Sequence, residues 1–293
     1  MKKIETAFSH LEYAKWALLP NSPVANPNHS KNLLITQSKP MKIGTFNELV
    51  QAVAVISNFN RDYTIFYRGV HFDYQFKNKN STRSTLLPSI YWKKSIASQK
   101  SIGVSLDENF NILSQKTIAL LSLIRNGYAG YKTFKNAINF QEILWSILQH
   151  YQVCGTPLLD MTHSLHVACS FAYHMNKNNS GIIYLIGMPY IHGPISYYVN
   201  EELVNLRLLN ICPPIAQRPF IQEGYLAGHF PYNGLLKQKA QAKFDFSSRL
   251  IAKFEIPISE TFWNQDFKPI PNEMLFPEND EMKELLKSLY KNV

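Results

Sequence analysis

The stretch from Leu148 to Ala172, LQHYQVCGTPLLDMTHSLHVACSFA, constrains the fold more than any other part of the chain. A helix end runs into a short loop that holds a Gly and a Pro. An apolar pair then leads to Asp160, Thr162 and Ser164 at the start of a second helix. Polar side chains between buried segments are costly unless they are hydrogen-bonded or used for binding. We therefore interpret this stretch as the floor of a site.

The composition predicts a folded protein with a sizeable core. The chain has 293 residues, of which 45% are hydrophobic and 13% are aromatic, which excludes global disorder. No run approaches the roughly 18 apolar residues that span a bilayer, so we expect no membrane association. Three cysteines without regular spacing do not make a disulfide framework, and we expect a reducing, cytoplasmic location.

The formal charge of +9 is typical of proteins with an anionic ligand, a nucleic acid or an acidic partner. It is equally typical of a proteome in which Lys is frequent. No run of five or more Lys or Arg residues occurs, so the sequence predicts no polybasic arm.

The order of predicted elements favours an α+β fold, with one domain over residues 42–293 that follows an N-terminal extension over 1–41. We expect a mixed or antiparallel sheet flanked by helices, because helices dominate early and strands later. Thr45 and Glu48 form a capping box, and residues 71–85 are predicted to be a loop. Periodicity predicts helices near 46–57, 113–124, 140–151, 165–172, 201–210 and 282–290, and strands near 63–67, 181–186 and 249–258.

Four segments of the chain resemble the FRG domain family, which is named for a Phe/Tyr-Arg-Gly motif. The central motif of that family runs roughly LQHYGxPTRLLDWTxxPxxAxxFA, and residues 148–172 are similar to it. The resemblance covers about residues 42–290. Its other parts are Tyr67-Arg68-Gly69 with Leu86 to Ile90, then Arg218, Gln222 and Gly224 in an R-x-x-x-Q-x-G pattern, and finally Leu275-Phe276-Pro277 with the last helix.

The chain departs from the family pattern at several positions. Pro157 stands where the central motif has an Arg, which removes a bidentate clamp for an anion. Gln152 replaces a Gly, Met161 replaces a Trp, and Leu226 replaces an aromatic residue. A phosphate-binding role of the motif Arg therefore does not carry over to this chain.

The resemblance implies a component of a bacterial defence or toxin system. A weaker similarity links the chain to ADP-ribosyltransferases, which have an Arg on a strand, then hydroxyl residues before a helix, then an acid. Here that order would be Arg68, then Thr162 and Ser164, then Gln222-Glu223. The resemblance implies NAD as the ligand, with ADP-ribose transferred to a protein or nucleic acid, or with hydrolysis of NAD.

Two sets of site residues follow from this similarity. An Arg offers a planar fork of donors to phosphates, and hydroxyls at a helix N-terminus favour anions. A carboxylate would stabilise the oxocarbenium character of the transition state, and a His can act as a base. The predicted ligand-binding residues are Tyr67, Arg68, Gly69, Asp160, Thr162 and Ser164; the predicted catalytic residues are His150, Gln222 and Glu223.

Each of these residues also has a purely structural interpretation. Asp160, Thr162 and Ser164 are residue types that favour helix N-caps. His150 is compatible with a buried histidine whose ring nitrogens are hydrogen-bonded, and Arg68 is compatible with a surface residue that forms an ion pair. Two further functions stay open: a non-catalytic module that senses a nucleotide or a phage component, and a phosphodiesterase or nuclease centred on His150 and Asp160. No metal site is predicted, because Cys154, His163, His166 and Cys169 suit a buried helix face better than zinc.

Overall fold

The computed structural model describes residues 32–78, 81–92, 106–128, 130–232, 244–264 and 267–290. Residues 1–31 of the predicted extension lie outside this part of the chain. The fold is α+β, as predicted, with a mixed sheet flanked by helices. The chain divides into two compact units: unit 1 (Met1–Leu86, Met161–Ile191 and Asp245–Met274) and unit 2 (Leu87–Asp160, His192–Phe244 and Leu275–Val293).

The strands and helices are numbered here in chain order. The strands are β1 (Met41–Lys42), β2 (Thr64–Val70), β3 (Gln75–Asn78), β4 (Ser81–Ser84), β5 (Leu158–Thr162), β6 (Ser180–Met188), β7 (Ile195–Tyr198), β8 (Leu203–Arg207), β9 (Gly224–His229) and β10 (Leu250–Pro257). The helices are α1 (Asn32–Gln37), α2 (Phe46–Phe59), α3 (Leu106–Gly127), α4 (Tyr131–Phe134), α5 (Gln141–His150), α6 (Leu165–Tyr173), α7 (Leu208–Ile211), α8 (Arg218–Ile221), α9 (Asn272–Leu275), α10 (Glu281–Leu285) and α11 (Lys287–Tyr290).

Unit 1 is built on strands in the order β1-β10-β6-β2. β1 is parallel to β10, whereas β6 is antiparallel to both of its neighbours, β10 and β2, so the sheet is mixed. Helix α2 begins at Thr45, whose hydroxyl accepts a hydrogen bond from the Glu48 N–H at 3.2 Å. The Glu48 carboxylate in turn accepts from the Gly44 N–H, and this pairing confirms the predicted helix start.

Helix α6 packs closely on one face of the unit 1 sheet. A Cβ atom added to Gly69 of β2 would lie 1.7 Å from the Ala168 carbonyl oxygen, and one added to Gly181 of β6 would lie 2.8 Å from the Ala172 carbonyl oxygen. These glycines let the helix backbone approach the strands, since any side chain there would displace it. The opposite face of the sheet packs against α1.

Unit 2 contains the antiparallel strands β7, β8 and β9 and the helix pair α3 and α5. Every residue of β9 is buried, and so are Leu203 to Leu206 of β8. The boundary between the units falls within β5, after Asp160. In the part of the chain that the structure describes, no helix is both long and apolar enough to cross a bilayer.

Two element predictions were wrong. Residues 71–85 contain the hairpin of β3 and β4. Polar residues lie on both faces of this hairpin, so its sequence shows no hydrophobic periodicity. Residues 203–207 form strand β8 rather than part of a helix. Leu203 and Leu206 have the spacing of a helix stripe, but a strand buried on both faces shows no alternation that would have revealed it.

Candidate functional site

Strands β2 and β5 bring most of the predicted ligand-binding residues together in unit 1. The two strands are antiparallel, and Tyr67 lies directly opposite Thr162. This pairing sets the Tyr67-Arg68-Gly69 motif beside Thr162 and Ser164, which are far apart in the sequence. Five of the six predicted ligand-binding residues therefore belong to one region of unit 1.

The side chains of this region point to two different faces of the sheet. Residues opposite each other across an antiparallel pair share a face, and neighbours along a strand alternate. Tyr67 and Thr162 therefore share the face covered by α6. Burial, followed by the nearby Cys169 of α6, raises the pKa of Tyr67, which agrees with this placement. Arg68 projects from the opposite face.

Thr162 and Ser164 shape the start of α6. The Thr162 hydroxyl oxygen accepts a hydrogen bond from the Ser164 N–H at 3.0 Å, and the Ser164 hydroxyl oxygen accepts from the Val167 N–H at 3.4 Å. Ser164 is the N-cap of this nine-residue helix. Both hydroxyls thus have the structural role of caps, and a role in ligand binding remains a prediction.

Arg68 belongs to a row of polar side chains on its face of the sheet. It lies opposite Tyr184 of β6, which in turn lies opposite Lys253 of β10. The Tyr184 hydroxyl donates to Asp73 at 2.6 Å, and the Lys253 ammonium lies 3.2 Å from the same carboxylate. Burial and Asp73 raise the pKa of Tyr184, whereas Arg68 lowers it. Two cations and one anion thus surround Tyr184.

Lys253 is fully buried and joins three parts of unit 1. Its ammonium donates to the carbonyl oxygens of Thr36 and Ser38 at the end of α1 and to the Ser84 hydroxyl of β4. Burial lowers the pKa of Lys253, and Asp73 partly offsets this effect. The sequence contained one signal for this cluster, because Lys253 and Glu255 interrupt the apolar run of β10.

His150 and Asp160 form the second group of predicted site residues, in unit 2. The His150 Nδ1 lies 3.4 Å from an oxygen of the Asp160 carboxylate, whose other oxygen accepts from the Gln149 amide at 2.7 Å. The Gln149 amide oxygen accepts from the hydroxyls of Ser89 and Thr156 at 2.8 and 2.9 Å. This network fixes the orientation of Asp160, and sequence reasoning missed Ser89 and Thr156.

The other side of the His150 ring is tightly enclosed. A Cβ atom on Gly224 would lie 3.1 Å from the ring, and His150 Nε2 is buried without a hydrogen-bond partner among the described residues. With Asp160 ionised, the contact at Nδ1 favours the tautomer whose Nδ1 carries the proton. The catalytic role of His150, and the nuclease function that it would support, stay predictions.

Gln222 and Glu223 lie in the turn between α8 and β9 and not in a strand. Gln222 is buried, and its amide donates to the Leu275 carbonyl oxygen at 2.7 Å, which fastens the C-terminal segment within unit 2. Glu223 is exposed, with a φ of 44° in the left-handed region. Of these two predicted catalytic residues, Glu223 is therefore the one whose side chain is accessible to solvent.

Arg218, the first residue of the R-x-x-x-Q-x-G pattern, is buried among side chains of unit 2 and has a structural role. Its buried guanidinium lies between the rings of Tyr151 and Phe276, 5.0 Å from each centroid. The neighbouring Asp280 carboxylate accepts hydrogen bonds from the Tyr151 hydroxyl at 2.8 Å and from the backbone N–H of Arg218 at 3.1 Å. This pattern therefore organises the core of unit 2.

The candidate thiol and imidazole ligands do not converge on a metal centre. Cys154, Cys169 and Cys212 are free thiols, and burial raises the pKa of Cys154 to about 11. His166 contacts the Lys268 carbonyl oxygen through Nε2 at 2.6 Å. Within the described ranges, no group of three or more His, Cys, Asp or Glu residues is arranged to hold a metal ion.

Comparison with known proteins identifies one family. The model of the FRG domain matches residues 64–181, which include β2, the hairpin of β3 and β4, the Gln149–His150–Asp160 network and α6. No curated protein and no solved structure matches the chain. The matched segment carries both the Tyr67-Arg68-Gly69 motif and the central motif at residues 148–172. Residues 64–181 are thus similar to the FRG domain.

Proposed function

We propose that this FRG domain binds NAD and either transfers ADP-ribose to a macromolecule or hydrolyses NAD. The observation that carries the proposal is the pairing of Tyr67 with Thr162. It sets the backbone of the Arg68-Gly69 motif beside the end of β5, which leads into α6. The similarity to ADP-ribosyltransferases implies these elements in that order.

Arg68 is the residue on which ligand affinity depends most in this proposal. Arg68 is half-buried and lies in a row with Tyr184 and Lys253, whose ammonium lies 3.2 Å from the Asp73 carboxylate. The Arg68 guanidinium carries a planar fork of donors that suits the phosphates of a dinucleotide. Because Arg68 projects from the opposite face of the sheet, the hydroxyls of Thr162 and Ser164 would act in this proposal as caps that position α6.

Glu223 would supply the carboxylate for the chemical step. Cleavage of the bond between nicotinamide and ribose develops positive charge on the ribose, which a carboxylate stabilises. Glu223 is exposed and therefore accessible to a substrate. The FRG resemblance supports a role as an effector in a bacterial defence or toxin system, in the cytoplasm.

The direct test is turnover of NAD. The protein is incubated with NAD labelled in the adenylate part, alone and with cell lysate, and released nicotinamide and labelled macromolecules are measured. We expect nicotinamide release in the wild type and its loss in Glu223→Gln. A wild-type protein that neither binds NAD nor releases nicotinamide would overturn the proposal.

A non-catalytic sensor of nucleotides is the second candidate. Two observations favour it. The amide of the buried Gln222 donates its hydrogen bond to the Leu275 carbonyl oxygen, and Pro157 occupies the position of the motif Arg. A sensor would bind NAD or a related nucleotide through Arg68 without turnover. Binding that is lost in Arg68→Gln, combined with no nicotinamide release under any condition, would favour the sensor over the enzyme.

A further inference from the structure

Unit 2 contains a pocket that the proposed function does not use. Its volume is about 260 Å³, and it lies between α3 and α5. Within the described residues no charged side chain lines it. Its walls comprise three aromatic rings, two aliphatic side chains, two hydroxyl side chains and one amide, contributed by Phe110, Trp145, Tyr232, Leu113, Ile118, Ser114, Thr117 and Gln141.

The aromatic walls are held in place by hydrogen bonds. The Trp145 indole N–H donates to the Thr117 hydroxyl at 3.1 Å, and the ring meets Tyr232 edge to face with centroids 4.8 Å apart. The Tyr232 hydroxyl donates to the Glu142 carboxylate at 2.9 Å. The Trp145 and Tyr232 rings are therefore held in fixed positions, and the Glu142 carboxylate lies at the hydroxyl of Tyr232.

Glu142 is a buried carboxylate without a cationic partner. It is 7% exposed, and no Lys, Arg or His of the described chain forms an ion pair with it. Among the described residues, its hydrogen-bond partners are the hydroxyls of Tyr232 and Tyr197. Burial, with Glu142 as the next cause, raises the pKa of Tyr197 to about 12. A buried negative charge is costly unless an opposite charge approaches it.

We propose that this pocket binds a small organic cation of the alkylammonium class. Aromatic rings attract a cation at their faces, and the Glu142 carboxylate adds a negative charge that forms no ion pair with any residue the structure describes. The mixture of aromatic, aliphatic and uncharged polar side chains in the lining suits the methyl groups of a quaternary ammonium better than it suits a strongly hydrated metal ion. The proposal is independent of NAD binding.

Choline is the probe that tests this proposal, with 3,3-dimethylbutan-1-ol as its uncharged isostere. The two molecules have the same shape and differ in the charge of one central atom. Titration calorimetry on the full chain should give an affinity for choline at least about tenfold higher than for the alcohol. Equal affinities, or no binding of choline, would overturn the proposal.

Two pairs of variants locate the site. Glu142→Gln keeps an acceptor for Tyr232 and removes the charge, so it should lower choline affinity by about tenfold and leave affinity for the alcohol unchanged. Ile118 lines the pocket and is 67% exposed, so substitutions there leave folding intact. Ile118→Lys should weaken choline binding at least about fivefold by charge repulsion, whereas Ile118→Gln should not. Choline binding that is unaffected by Ile118→Lys would place the ligand elsewhere and refute the assignment.

Discussion

Tyr67 and Thr162 lie opposite each other across β2 and β5, and both face helix α6. Arg68 therefore points away from the hydroxyls of Thr162 and Ser164, although all of them belong to one region of unit 1. NAD affinity in the proposed function therefore depends on Arg68, and the hydroxyls of Thr162 and Ser164 cap the start of α6.

Replacement of Gly69 by Ala should destabilise the protein. The added Cβ would lie 1.7 Å from the Ala168 carbonyl oxygen, so α6 would have to shift, at a cost of about 2 kcal/mol or more. Gly193→Ala is the matched control, because the nearest atom to its Cβ is 4.0 Å away. Urea unfolding measures both. A Gly69→Ala variant as stable as Gly193→Ala would contradict the close packing of α6.

Asp280 should be the carboxylate on which the stability of unit 2 depends most. Its two oxygens accept from the Tyr151 hydroxyl and from the backbone N–H groups of Gln217, Arg218, Met282 and Lys283. Asp280→Ala removes a helix cap and leaves buried donors unsatisfied, which should cost about 2–4 kcal/mol. The exposed Glu281→Ala should change stability by less than about 0.5 kcal/mol. Thermal unfolding of both variants provides the comparison.

Substitution of Glu223 by Gly separates function from stability. Glu223 and Glu202 both have a positive φ, 44° and 49°, and Gly relieves strain there by up to about 1 kcal/mol. Glu223→Gly should keep or raise the melting temperature and lower nicotinamide release by about a hundredfold. Glu202→Gly should show the same stability and normal release. Normal release in Glu223→Gly would remove this residue from the catalytic step.

The buried tyrosines predict a loss of stability at high pH. Burial and neighbouring carboxylates raise the pKa of Tyr151, Tyr184 and Tyr232, and burial followed by Glu142 raises that of Tyr197 to about 12. In the unfolded chain tyrosine ionises near pH 10, so the unfolded state loses protons first. The free energy of unfolding should therefore fall as the pH rises above about 10. Urea unfolding between pH 8 and pH 11 tests this, and a constant value would contradict it.

The sequence predicted the α+β class and most long elements, because capping and periodicity are local. Thr45 begins α2 as expected, and β6 and β10 follow from their apolar β-branched runs. The β3–β4 hairpin and β8 could not be predicted in the same way, since neither has the alternation that distinguishes a half-buried strand from a loop or a helix.

For the site, the sequence indicated which motifs take part but not how their side chains are arranged. The central motif contains both His150 and Asp160, whose side chains lie 3.4 Å apart in the fold. Strand register, however, depends on tertiary contacts, so neither the opposite faces of Tyr67 and Arg68 nor the row of Arg68, Tyr184 and Lys253 follows from local sequence. The turn that holds Gln222 and Glu223, where Glu223 has a positive φ, likewise does not follow from local sequence.

Titration calorimetry of NAD against the wild type, Arg68→Gln and Arg61→Gln tests the central claim most directly. Arg61 is exposed in the same unit and takes part in no predicted site, so its variant controls for the loss of one positive charge. We predict that NAD binds the wild type and Arg61→Gln equally and binds Arg68→Gln at least about tenfold more weakly. Equal affinity of NAD for all three proteins, or no binding to any of them, would contradict the proposed NAD site.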